Sequence, residues 1–385
     1  MTLYYFDHAA SAPRRDEVTE AMAPFQHGVV GNPSGMHKAA RDARRVIEDA
    51  RDQIAEFVGA QPGQVVFTGG GTESCHMAIA GVANAYRRAK GSAHVVTSAI
   101  EHHAVLDCVT TLQRDYPTVT SNELGVDSDG VVKLDELAGI LKPNTAIVSV
   151  MSANNETGVI QPLHGLAQTL RELNPEVVTH TDAVAAAPWL DLAEVTREID
   201  LVSICSHKLG GPVNAGALII RRSLPFDAII PGGGQERGQR GGTVDVAAAV
   251  GLATATKLVS QEREESAAKA RALQRMMHEA LSQISGCVVT APSASKVPGT
   301  VHLTFEGIAS DELLFLLDHA GICASAAASC SSGAAKPSHV LGAMGVSDSR
   351  ARGSLRLSLG RETTQAEVDY VIANVARIAS QLTRV

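Results

Sequence analysis

Short runs rich in β-branched residues alternate with longer stretches of helical spacing as far as residue 222, and this constrains the fold more than any other feature. The runs are QVVFT (64–68), HVVTS (94–98), TAIVSVM (145–151), VVTHT (177–181), DLVSIC (200–205) and GALIIRR (216–222). Near-continuous apolar runs separated by helical segments predict an α/β fold around a mainly parallel sheet with helices on its faces. The clearest helix is 38–58, where Ala39, Ala43, Val46, Ile47, Ala50, Ile54, Phe57 and Val58 recur at three- and four-residue steps before Gly59.

A chain of 385 residues exceeds the ~250–300 residues at which one core stops growing, so a large domain and a smaller one are expected. A helical stretch over roughly 243–283, rich in Ala, Glu, Lys and Arg, suits a connector. Beyond it, strand-like GCVVT, TVHLTF and SLRLSL mix with the helical patterns DELLFLLDHAG and TQAEVDYVIANVARIASQL, predicting a small α+β domain. The expected division is an N-terminal segment 1–15 packing with the small domain, a large domain 16–255 and a small domain 256–385.

A net charge of −8 opposes direct nucleic-acid binding, which needs a basic face to displace counterions. Arg87, Arg88 and Lys90 read as a solvated helix end. The start, MTLYYFDHAA, lacks a signal peptide's charged and apolar regions, and no run of ~18 apolar residues occurs. The expectation is a cytoplasmic protein without a membrane span. Cys75, Cys108, Cys205, Cys287, Cys323 and Cys330 form no CxxC pair, which argues against a disulfide framework or structural zinc.

Ligands of open α/β sheets sit beyond the carboxyl ends of the strands, and five runs end at polar groups: Gly71-Thr72, His102, Asn154-Asn155, Asp182 and Lys208. FTGGGTES places glycines before a helix, either a phosphate cradle or a plain turn; no Gly-Lys-Ser/Thr follows, so it is not a nucleotide P-loop. Asp182 is an N-cap or the partner of a protonated ring nitrogen. Lys208, just past an apolar strand, is a solvated lysine or a desolvated amine able to form a Schiff base. His102 suits a helix cap or a ring stacked on a cofactor, while metal lacks a second ligand cluster. Cys330, in ASAAASCSSGAAKPSHV, has small and hydroxyl neighbours and reads as a reactive loop thiol, unlike Cys205 and Cys287 in their apolar runs. Arg356 and Arg361 could grip a carboxylate in bidentate fashion, with surface salt-bridging the alternative favoured for Arg361.

Together these motifs resemble the cysteine desulfurases of the class V aminotransferase-like family, pyridoxal-phosphate enzymes of fold type I. FDHAASAP, GNPSGMH, FTGGGTES, EHHAVLD, NNETGV, TDA, SHKLGGP, GGGQERGQRGGT, the Cys330 segment with KPSHVL, and LRLSLGR occur in the family's order. The segment around Cys330 is similar to the NifS/IscS-type subgroup. The resemblance implies a seven-stranded-type, mainly parallel sheet in the large domain and a small domain that carries the catalytic cysteine. It implies pyridoxal 5'-phosphate on Lys208, paired with Asp182, stacked on His102 and contacted by Asn155. Gly71, Thr72, His207 and the residue at Cys205 would hold the phosphate, with Thr243 reaching in from a second subunit. Asn155 and Arg356 would orient L-cysteine, and Cys330 would take its sulfur as a persulfide for an acceptor protein, leaving L-alanine. A homodimer follows. Two positions depart from the family: Ala185 replaces a glutamine that bonds the cofactor's phenolic oxygen, and Cys205 replaces a serine that contacts its phosphate. Selenocysteine lyase, aminotransferase and a cofactor-poor scaffold docking sulfur acceptors are the alternatives.

Overall fold

The structure is a computed structural model that describes residues 2–326 and 337–383. In chain order its strands are β1 (Tyr4–Tyr5), β2 (Val65–Thr68), β3 (Ala93–Ser98), β4 (Val119–Leu124), β5 (Thr145–Ser149), β6 (Val178–Asp182), β7 (Leu201–Cys205), β8 (Gly216–Ile220), β9 (Cys287–Val289), β10 (Thr300–Phe305), β11 (Ile322–Cys323) and β12 (Ser354–Ser358). Strands β2 to β8 form one seven-stranded sheet in the order β2-β8-β7-β6-β5-β3-β4. Pairing is parallel from β7 through β6, β5 and β3 to β4. Only β8 runs against its neighbours, β7 and β2. The mainly parallel α/β sheet expected from the alternating runs is therefore present.

Six of its strands are buried throughout because helices cover both faces; β4 is the exception, with exposed Thr120 and Glu123 at the sheet edge. One core packs the Lys38–Val58 helix against Val96, Val148, Val202 and Ile219, and a second packs the Gly71–Lys90 helix against Val95, Ile147 and Leu218. The two lists fall on alternate residues of the same strands, as period-two geometry requires.

The helix Val246–Leu281 runs unbroken past residue 255, with the Asp245 side chain capping it by accepting from the Ala248 N–H. It leads to the antiparallel sheet β12-β10-β9. Phe6, Met277, Leu303, Phe305, Leu355 and Val371 share a third core there. The N-terminus crosses to this side, with β1 pairing β11 and Asp7 bridging to Ser358. Among the described residues, no helix is long and apolar enough to cross a membrane.

Candidate active site

The carboxyl ends of β2, β3, β5, β6 and β7 bring Gly71, His102, Asn155, Asp182 and Lys208 to one rim of the large sheet. The Gly71–Lys90 helix starts directly after the β2 turn, with Gly70 at φ 140° as its N-cap. A Cβ on Gly71 would stand 2.9 Å from Val184 Cγ2 and 3.5 Å from Cys205 Cβ. Glycine is thus required where this helix N-terminus approaches the ends of β6 and β7. Glu73 fixes the turn by accepting from the Gly69 N–H at 2.7 Å and pairing with Arg240 at 2.8 Å. Arg240 belongs to GGGQERGQRGGT, so this motif holds the turn from outside.

Lys208 Nζ donates to the carbonyl oxygens of Ala9 and Ala10 at 2.5 and 2.7 Å. The N-terminal strap is held in place by Ala12 N–H to His207 O and Arg15 N–H to Gly210 O, each 3.0 Å. Burial lowers the Lys208 pKa from its ordinary value, with the Arg356 charge adding to the effect and Asp182 and Asp7 opposing it. Asp182 is 6% exposed and accepts from the Val184 N–H at 2.9 Å. Burial raises its carboxyl pKa despite the nearby His102 and Lys208 charges. His102 caps the His103–Asp115 helix, its Nδ1 accepting from the Ala104 N–H at 3.0 Å. That bond leaves Nε2 to carry the ring proton, and burial lowers the ring's pKa. Burial likewise lowers His207 to about 4 and pushes the Cys205 thiol up to about 12. Cys205 Sγ lies 4.0 Å from His207 Nε2.

Arg356 comes from β12 and faces the same site. Its Nη1 donates to Asn155 O at 2.9 Å and its Nη2 to Asp7 Oδ1 at 2.8 Å, while buried Nε has no partner among the described residues. Arg361 instead pairs with Glu262 and Glu362 and is over one-third exposed. A cavity of about 400 Å³ opens beside Lys208, lined also by His8, Asn155, Ala185 and Trp189. Ala185 leaves open space there.

Thr72 is exposed at the helix start. Thr243 is exposed too and lies in a separate hollow with Thr68, Gly69 and Arg240 of its own chain. Cys330 lies outside the described residues. Cys287, despite its apolar run, is only half-buried in the short strand β9. Three carboxylates at the site escaped the sequence reading: Asp7, Glu101 and Glu156. Each is a lone acid in an apolar or turn-forming stretch, which was the available signal.

These residues fit pyridoxal phosphate. A glycine-lined helix N-terminus offers N–H groups to a phosphate, a buried carboxylate forms no ion pair among the described residues, and a desolvated amine lies near it.

The aminotransferase class-V family model matches residues 4–371. An IscS-like cysteine desulfurase of Mycobacterium tuberculosis is 42% identical over 96% of this chain and 94% of its own length. A solved NifS-like protein superposes with a TM-score of 0.91 at 33% identity, covering 100% of both chains. A structure described as SspA in complex with cysteine gives a TM-score of 0.79 at 31% identity over 94% of this chain and all of its own. The chain belongs to the aminotransferase class-V family and, within it, to the IscS/NifS-like cysteine desulfurases.

Proposed function

We propose that this chain is a pyridoxal-phosphate enzyme that converts L-cysteine to L-alanine and transfers the sulfur to Cys330. The observation that carries this reading is the desolvated Lys208 amine, held by two backbone carbonyls at the rim shared by Asp182, His102 and Arg356. Lys208 would hold the cofactor, with Asp182 at its ring nitrogen and His102 on its face. Gly71, Thr72, Cys205 and His207 would hold its phosphate, joined by Thr243 from the second subunit of a homodimer. When bound, the cofactor supplies an electron sink for charge developing at the substrate's α-carbon.

Arg356 binds the substrate carboxylate, its Nη groups exchanging Asp7 and the Asn155 carbonyl for the ligand or sharing them with it. Asn155 orients the substrate beside it. Lys208 Nζ takes the α-proton as a base once its amine is free, a role that the burial-lowered pKa favours. The Cys330 thiolate then attacks the substrate sulfur. A sulfur–sulfur bond forms, the carbon–sulfur bond breaks, and its electron pair stays on carbon, which takes a proton to give alanine. The overall exchange, thiol plus cysteine to persulfide plus alanine, needs no outside oxidant. An acceptor protein removes the persulfide sulfur.

The experiment is incubation of the cofactor-loaded protein with L-cysteine and a reductant, without any keto acid. Alanine and sulfide in equal amounts are expected, and Cys330→Ser should still bind cysteine while releasing neither. Alanine that appears only when a keto acid is supplied would make the chain an aminotransferase. Unchanged sulfide release by Cys330→Ser would remove that residue from the reaction.

A further inference from the structure

Ser338 and His339 stand at the start of the His339–Ala343 helix, and their side chains reach two different active-site loops. Ser338 Oγ donates to Glu156 Oε2 at 2.5 Å while accepting from the Leu341 N–H at 3.2 Å. His339 Nε2 bonds the Glu101 carbonyl oxygen at 2.9 Å; a carbonyl only accepts, so Nε2 carries the proton. Glu101 directly precedes His102, and Glu156 directly follows Asn155. The loops are also joined to each other, by Asn154 Nδ2 to Ile100 O at 3.0 Å. On the other flank, the main chain of Ser325 pairs with that of Arg356 through bonds of 3.2 and 2.7 Å.

The described chain on either side of Cys330 is therefore fastened to the segments carrying His102, proposed for the cofactor face, and Asn155 and Arg356, proposed for the substrate. Glu156 and Ser338 are 3% and 4% exposed. A hydrogen bond sheltered from water is directional, and an apolar pair would fill the space without fixing a register. In-line attack between two sulfur atoms requires placement to within a few tenths of an ångström, and misplacement costs rate much more than affinity. Resting on the reading of Cys330 as the sulfur acceptor, we propose that Glu156 and Ser338 are positioning residues for sulfur transfer. Their hydrogen bond registers the chain eight residues after Cys330 against the loops of His102 and Asn155, and neither side chain touches the substrate.

The test uses cofactor-loaded protein mixed once with L-cysteine. Alkylation and mass spectrometry follow persulfide on Cys330, while the cofactor spectrum reports cysteine affinity. Ser338→Ala and Glu156→Ala should keep cysteine affinity within about threefold and slow persulfide formation at least about tenfold, as expected of lost alignment. The double variant should be no slower than the slower single one, because both remove the same bond. Ser338→Thr, which keeps the hydroxyl, should return the rate to within about threefold. Unchanged rates in both single variants, a Ser338→Thr rate as low as that of Ser338→Ala, or affinity falling in step with rate would overturn the inference. If Glu156→Ala does not fold, the alanine and threonine variants of Ser338 decide alone. Wild-type protein that makes alanine but no persulfide on Cys330 would overturn the parent reading and this inference together, a result separable from slow variants.

Discussion

Lys208 donates from Nζ to the Ala9 carbonyl oxygen at 2.5 Å, across 199 residues of sequence. With Ala10 as second acceptor, both hydrogens of a neutral amine are used and the lone pair is left free. A neutral nucleophile on a desolvated stem is what imine formation requires. Lys208→Ala and Lys208→Arg should both lose the visible cofactor absorbance of protein incubated with pyridoxal phosphate, with the far-ultraviolet circular dichroism unchanged. A band that survives in either variant would show that the cofactor is not held through this amine.

Glu101 gives the protein a pH-dependent stability. It is fully buried, accepts from Ser98 Oγ at 2.6 Å and Met151 N–H at 2.7 Å, and leaves Oε2 without a partner among the described residues. Burial outweighs those two bonds and pushes its pKa up to about 8. The folded state therefore binds a proton that the unfolded chain has released, from the ordinary carboxylate range up to that value. Stability contributed by this group is present at low pH and falls as pH rises through the window, by up to about 1.4 kcal/mol per unit. Glu101→Gln should flatten the decline between roughly pH 5 and 8 in denaturant titrations. A slope equal to wild type would mean that Glu101 ionises normally.

The outer support of the turn before Gly71 rests on a buried ion pair. Arg51 meets Glu236 through two bonds of 2.8 Å, and the same carboxylate accepts from the Phe67 N–H of β2 at 2.8 Å. Their side chains are 4% and 3% exposed. Glu236→Ala leaves the buried Arg51 guanidinium with the exposed Glu48 carboxylate at 3.1 Å and the Val65 carbonyl at 2.7 Å, takes away the acceptor of the Phe67 N–H, and should cost about 3 kcal/mol, the low end for a broken buried pair, read as a lowered denaturation midpoint. A loss below about 1 kcal/mol, the scale of an exposed pair, would contradict this.

Cys205 is a departure that should be reversible. Its thiol is fully buried and held protonated, with a pKa pushed up to about 12, and sulfur is a weak hydrogen-bond donor. Cys205→Ser adds a hydroxyl beside the Gly71 turn. One added bond of about 0.5–1.5 kcal/mol should lower the dissociation constant for pyridoxal phosphate roughly two- to twelvefold. Equal or weaker retention in equilibrium dialysis would mean that position 205 does not face the phosphate.

Much of this architecture was legible because buried parallel strands declare themselves. QVVFT, HVVTS and DLVSIC leave little choice of face, and the polar residue after each run marks the sheet rim. Strand β4, VTSNEL, was not legible: as an edge strand it keeps polar, partly exposed residues and lacks the apolar run. The starts of helices were harder as well, the Val246–Leu281 helix beginning three residues after the expected 243 because Asp245 caps it. At the site, Lys208 and Asp182 stood out by position. Glu101 and Glu156 did not, since a lone glutamate gives no sign of burial until Met151 or Ser338 is brought against it from far along the chain.

In the proposed reaction one sulfur atom moves from L-cysteine to one thiol of this chain. Cofactor-loaded protein given L-cysteine labelled with heavy sulfur, then alkylated, digested and analysed by mass spectrometry, tests it most directly. One labelled sulfur is expected on the peptide bearing Cys330, formed together with an equal amount of alanine. Label confined to free sulfide, or attached to Cys323 or another cysteine while Cys330 stays a plain thiol, would contradict it.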